Sequence, residues 1–274
     1  MWRAYLLVGV LAPVWSIPAA AMAQYVLFDE PTDSISVPGH TSVESTMTIE
    51  ARFRMLSSLP SFVHGRLFSE QRDSVADKKL GSGPEGLSGG AWTGAAGGMN
   101  DPGIEAGLPV PKDAWHYAAF VRDGHFQRLY LDGSLVQTRD LSTTVYDGPI
   151  ANSGESVMSI GAIVYPGGNQ FFPAFLGLLD WIRVSSDARY SGDIVAPLTT
   201  VPTPDAATLL LYDFNEPAAS LVVHDQGANH WDGMLGTGFQ GATPPELVPE
   251  PSSAVMFLLA AGLTIVARRA RSVG

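Results

Sequence analysis

The 274-residue sequence predicts an all-β fold, a two-sheet antiparallel jelly-roll sandwich. Three observations lead there. Short apolar or alternating runs recur along the body, clusters of Gly, Pro, Asn, Asp and Ser separate them, and no stretch of the body sustains a helical period. There is no cysteine, so stability has to come from a packed core or bound ions rather than from disulfides.

The first segment, 1–23, stands apart from the body. Arg3 precedes an apolar stretch over 5–15, and Pro18 leads into small residues ending Ala21-Met22-Ala23. That order is a secretory signal peptide with cleavage between Ala23 and Gln24. A core helix is a poorer reading, because Pro13 and Pro18 would interrupt it.

From residue 24 the strands follow in order at 25–28, 47–53, 117–121, 129–131, 157–160, 178–184 and 209–214. The clearest unit is 115–140, where Asp123-Gly124 and Asp132-Gly133 separate three alternating runs. Asp-Gly favours a two-residue type I′ turn, whose central positions both need positive φ, so the unit is expected to be a three-strand meander. Asp123 and Asp132 are therefore read as turn residues rather than catalytic acids. Roughly 225 residues suffice for one sizeable core, and nothing from 24 to 247 looks like an interdomain linker.

The same residues weigh against catalysis. Retaining glycosidases need two carboxylates about 5–5.5 Å apart, which alternate positions on one strand supply most directly. Glu44, Glu50, Asp180, Asp213 and Glu216 offer no such arrangement. The six histidines lack metal-protease spacing, and although Gly86-Leu87-Ser88-Gly89-Gly90 has Gly-x-Ser-x-Gly spacing, no helical run follows these glycines as a nucleophile elbow requires. Binding is the better expectation.

Particular stretches carry a family resemblance. Trp115-His116-Tyr117-Ala118-Ala119-Phe120 with Leu129-Tyr130-Leu131-Asp132-Gly133-Ser134-Leu135-Val136, then Gly177-Leu178-Leu179-Asp180-Trp181-Ile182-Arg183-Val184 with Ala188-Arg189-Tyr190, resemble the laminin G-like, concanavalin A-like domains. The likeness covers about 25–236 and implies roughly a dozen strands in two sheets with one concave face. The glucanase branch of this fold carries a Glu-x-Asp-x-x-Glu strand, which this chain lacks. Relatives often hold one structural Ca²⁺. The resemblance makes Asp29 and Asp180 candidate ligands, and the oxygen-rich turn bearing Asp225 and Asn229 is another, against the plainer reading of turns and backbone hydrogen bonds.

Between Asp73 and Pro111 the chain departs from the family pattern. Its glycines, at 81, 83, 89, 90, 97 and 98 among others, suggest a long loop instead of hairpins. Trp92 on that loop is a candidate sugar-stacking residue, or it packs locally. Core packing is the default for the other tryptophans, including Trp115, Trp181 and Trp231.

The end of the chain is an address label. Pro249-Glu250-Pro251 precedes an uncharged run over 254–267, and Arg268, Arg269 and Arg271 follow it. The tail, 248–274, resembles the PEP-CTERM sorting signal of Gram-negative bacteria, which implies an exosortase as partner and a membrane helix at 254–267. The 14-residue run makes a helix about 21 Å long against a hydrocarbon core of about 30 Å, short for a permanent anchor. Over 24–250, 12 basic residues stand against 27 acidic ones, a net charge of −15. Such a body repels nucleic acid and anionic lipid.

These readings converge on an exported, non-enzymatic protein of the cell surface or extracellular matrix. It passes through a membrane-anchored intermediate and binds extracellular polysaccharide. A glycan hydrolase or lyase on the same scaffold, or a purely structural matrix protein, are the alternatives.

Overall fold

The computed structural model describes residues 23–43, 45–60, 65–71, 77–83, 86–91, 93, 103–150, 156–167, 171–172, 175–193, 196 and 198–249. Residues 1–22 of the expected signal peptide, with Trp92, Glu250, Pro251 and the tail beyond, including Arg268, Arg269 and Arg271, lie outside the described residues.

The described chain forms eighteen strands: β1 (Ala23–Phe28), β2 (Ile35–Val37), β3 (Thr46–Met55), β4 (Arg66–Gln71), β5 (Asp77–Gly83), β6 (Gly86–Ala91), β7 (Ile104–Glu105), β8 (His116–Asp123), β9 (Phe126–Leu131), β10 (Ser134–Asp140), β11 (Val157–Gly161), β12 (Ile163–Val164), β13 (Phe171–Phe172), β14 (Gly177–Ser185), β15 (Thr208–Tyr212), β16 (Val222–Val223), β17 (Gly233–Leu235) and β18 (Glu246–Pro249). They build two large antiparallel sheets. One runs β10-β9-β8-β3-β14-β1-β18, with β15 also on β14, and the other runs β16-β17-β2-β11-β4-β5-β6-β7. The strands outnumber the expected dozen because several are two or three residues long.

Alternation in β3 explains the layering. Met47, Ile49, Ala51, Phe53 and Met55 point into the sandwich and are buried, while Thr48, Glu50, Arg52 and Arg54 point to the outer face. Between the sheets, Phe175 meets Phe28 and Phe53 edge to face at centroid distances of 6.2 and 5.9 Å.

Two expectations are corrected. The glycine-rich stretch is not one long loop, because β5 and β6 pair as a hairpin across six residue pairs and β7 pairs with β6. Its glycines serve close approach: a β-carbon at Gly89 would lie 2.5 Å from the Phe120 ring of the opposite sheet. Few side chains on this hairpin means tight packing rather than lack of structure. In the meander, Asp132 and Gly133 form the expected two-residue loop with φ of +50° and +84°. The other turn shifts by one residue. Asp123 pairs with Phe126, the loop is Gly124-His125, and of the two only Gly124 takes positive φ (+55°).

A second buried cluster lies on the outer face of the first sheet. Residues 186–193 and 198–205 lie across that face as a strap, and Ala188, Tyr190 and Leu198 pack on Tyr117, Ala119, Val121, Tyr130 and Trp181. Trp181 is thus fully buried, yet outside the sandwich core. Thr46 and Thr48 hydroxyls donate to the Ser186 and Asp187 carbonyls at 2.8 and 2.7 Å, and Tyr130 Oη donates to Gly192 O at 2.9 Å.

Under the strap sits Glu50, with no exposed surface. Its cross-strand neighbour Arg183 donates through Nε to Oε1 at 2.6 Å, and Tyr117 and Tyr190 hydroxyls donate to Oε2 at 2.6 and 2.8 Å. Burial, reinforced by the Glu50 charge, pushes the Tyr117 phenol well up and the Tyr190 phenol to about 12, so both stay protonated as donors. Arg189 fastens the far end, with its two terminal nitrogens 2.9 and 2.7 Å from the Asp205 carboxylate oxygens.

Three outcomes follow for urea and thermal denaturation. Glu50→Ala strands the Arg183 guanidinium and is expected to cost about 3–5 kcal/mol; a cost below about 1 kcal/mol would mean that apolar packing alone holds the strap. Gly89→Val forces the hairpin off Phe120 and is expected to cost about 1–3 kcal/mol. Glu216 supplies a pH test. Burial, partly offset by the His224 backbone N–H on Oε1, raises its pKa, and Oε2 has no partner. A folded-state pKa above the unfolded one makes the native state the stronger proton binder, so stability falls as pH rises through that interval. Glu216→Gln is therefore expected to raise Tm at about pH 7.5, with the gain shrinking toward about pH 4.

Candidate functional site

The strap leaves part of the outer face open, and there β1, β14, β3 and the start of β8 present a platform of Tyr25, Arg52, Arg54, Trp115, Leu178 and Asp180. Their common face follows from register: Arg52 lies opposite both Tyr117 and Trp181, and Arg54 opposite Leu178, which itself faces Leu27 on β1. All six platform side chains are half-buried.

Asp180 reaches this face through a bulge. Leu179 pairs with Phe53 and Trp181 with Arg52, so Asp180 is an extra residue in β14, and Asp180 and Trp181 both turn outward. The bulge sets Asp180 Oδ2 2.6 Å from Arg52 Nη1, with 17% and 24% of the two side chains exposed. Arg52 Cζ also lies 4.7 Å from the centroid of the Trp115 ring. The ion pair and the stacking together fix the guanidinium plane.

Tyr25 and Trp115 come from strands three places apart in the sheet, roughly 14 Å at ordinary strand spacing. Their rings nonetheless meet edge on, with centroids 5.9 Å apart and planes at 61°. Both side chains therefore lean across β14 and β3 and form a low arch. Half-buried rings beside fixed, planar polar groups suit a ligand with one apolar face and hydroxyls at its edge. Trp115 thus departs from the core default, and Trp231 is half-buried against the sandwich core.

The Ca²⁺ candidates do not converge. Asp180 is engaged by Arg52. Asp225 accepts the backbone N–H groups of Leu211 and Gly227 on Oδ1 and of Trp231 on Oδ2, and Asn229 donates to Leu209 O. The Asp29 backbone N–H donates to Asp33 Oδ2 in the turn after β1. Among the described residues, no three His, Asp or Glu side chains are grouped to hold a metal ion. These residues, as placed, do not fit a six-to-eight-oxygen Ca²⁺ shell.

A second concavity, of about 350 Å³, opens at the loop end of the sandwich between Ser45, Gly124, His125, Asp147, Gly148 and Pro149. His125 Nδ1 lies 2.5 Å from Asp147 Oδ1 there, both on the surface side. Among the described residues its lining carries one carboxylate, already held by histidine, and no Phe, Tyr or Trp ring.

Sequence reasoning did not reach Tyr25, Arg52, Arg54 or Trp115 as a group. Two signals pointed that way: arginines at alternate outward positions of a long strand, and the break in alternation at Leu179-Asp180-Trp181 that marks the bulge.

Comparison with known proteins agrees with this architecture. The laminin G-type sequence model described as the concanavalin A-like lectin/glucanases superfamily matches residues 29–195, and the PEP-CTERM protein-sorting motif matches 247–272. No curated protein matches the chain. Among solved structures, a Bacteroides ovatus protein for which carbohydrate binding has been proposed is 18% identical, with a TM-score of 0.56; the alignment covers 81% of this chain and 62% of that one. A heptameric SAP-like pentraxin from Limulus polyphemus is 15% identical, with a TM-score of 0.46 and coverage of 64% and 80%. Domain 4 of an extracellular arabinanase from Geobacillus stearothermophilus is 16% identical, with a TM-score of 0.40 and coverage of 60% and 68%. The first of these likenesses concerns the fold. On the match over 29–195, the chain belongs to the concanavalin A-like lectin/glucanases superfamily, and it ends in a PEP-CTERM sorting motif.

Proposed function

We propose that the protein is an exported, non-enzymatic glycan binder of the cell surface or exopolysaccharide, sorted by an exosortase and engaging its ligand on the Trp115 platform. One observation carries the reading: the half-buried Tyr25–Trp115 arch beside the Arg52–Asp180 ion pair. A sugar ring laid on indole buries its C–H face, and the fixed guanidinium and carboxylate edges meet its hydroxyls. The loop-end hollow lacks such a ring.

The carboxylates favour binding over turnover. Glu50 is sealed under the strap, and Asp180 is neutralised by Arg52, so neither is presented as half of a catalytic pair. Carbohydrate binding proposed for the Bacteroides ovatus protein supports the same direction, and the sorting motif supports an extracellular destination where polysaccharide is the abundant polymer.

The full chain in mild detergent, screened against immobilised polysaccharides and then measured by affinity electrophoresis, tests this. Trp115→Ala is expected to weaken binding more than tenfold while leaving the urea midpoint close to that of the parent chain. Unchanged affinity in that variant would remove the platform as the site. Release of reducing ends or unsaturated sugars would replace binding by hydrolysis or lysis.

A further inference from the structure

The basic residues of this acidic body are nearly all spent on structure. Arg183 and Lys78 are held by Glu50 and Glu70, Arg189 by Asp205, Arg128 by Asp123 and Arg52 by Asp180. Arg122 and Arg139 donate to the carbonyls of Gly148 and Gly103. Arg54 differs from all of these. Its guanidinium makes no hydrogen bond and no ion pair among the described residues, its Nε is buried without an acceptor, and it stands on the platform face two residues from Arg52.

The charged groups around it leave that guanidinium available. Asp113 is already served by Ser57, whose hydrogen bonds lower its pKa more than the Arg54 and Lys112 charges do. Asp180 belongs to Arg52, and Lys112 donates to Leu59 O. Glu246 lies opposite Leu27 at the far edge, on β18. A partly desolvated guanidinium edge with no acceptor gains from a ligand that brings one, and its planar fork matches a carboxylate.

We propose that the platform selects an acidic sugar: a uronic-acid residue whose carboxylate pairs with Arg54 while its ring lies on Trp115. This rests on the reading of the platform as a glycan site and adds the ligand class. The net charge of −11 for the full chain, −15 over 24–250, works against any polyanion at long range. Selectivity therefore has to come from this one short-range pairing, and added salt up to about 0.1 M, where the Debye length is about 10 Å, relieves the repulsion.

The test compares the full chain on polygalacturonate and on the same polymer after carboxyl reduction. The expected result is binding of polygalacturonate roughly tenfold or more tighter than of the reduced polymer. Arg54→Gln is expected to erase that difference, Arg54→Lys to restore part of it, and Trp115→Ala to weaken both polymers together. Equal affinity of the parent chain for the two polymers overturns the acidic-sugar proposal and leaves the glycan site standing. A preference that survives in Arg54→Gln, at unchanged urea midpoint, overturns the role of Arg54. Binding to neither polymer nor any other polysaccharide overturns both the proposal and the reading beneath it.

Discussion

The pairing of Glu50 with Arg183 is the interaction on which the rest of the outer face depends. The two residues are direct cross-strand partners between β3 and β14, in the middle of the first sheet. Charges placed there have to be covered and fully hydrogen-bonded, or they cost several kcal/mol. The strap supplies the cover through Ala188 and Leu198, and Tyr117 and Tyr190 complete the bonding of the carboxylate. The strap's extent then decides what remains open. Beyond it, the same sheet surface becomes a platform instead of a second core.

Two kinds of economy shape the domain. Glycine replaces side chain wherever the sheets approach too closely, as at Gly89 over Phe120 and at Gly161, where a β-carbon would lie 2.2 Å from the Phe28 ring. Basic residues are scarce, 12 against 27 acidic ones over 24–250, and the structure uses most of them to neutralise specific carboxylates or bind carbonyls. In such a body an uncommitted guanidinium carries more information than an uncommitted carboxylate.

Much of the fold was legible because period-two alternation is a local signal. The runs at 47–53, 117–121 and 178–184 all lie within strands, and Asp132-Gly133 made the turn that its φ requirement dictates. Hairpin β5–β6 was not legible, since glycines read locally as loop and the reason for them, the Phe120 ring, lies on the other sheet. The platform was hidden for a similar reason. Tyr25 and Trp115 are ninety positions apart in sequence and meet only because both lean across two intervening strands. Asp180 looked solitary because its partner Arg52 comes from a strand formed 128 residues earlier.

The pairing of β1 with β18 gives the platform a mechanical meaning. Tyr25, half of the aromatic arch, lies opposite Val248, one residue before Pro249 and the sorting tail. On the proposed reading, tension from a polymer gripped at the arch and a chain tethered by its tail would pass from β1 to β18 through their four residue pairs. The short edge ribbon would then be where the load first meets the fold. Because Val26 and Leu247 of that ribbon are buried in the core, peeling it would have to open the core as well.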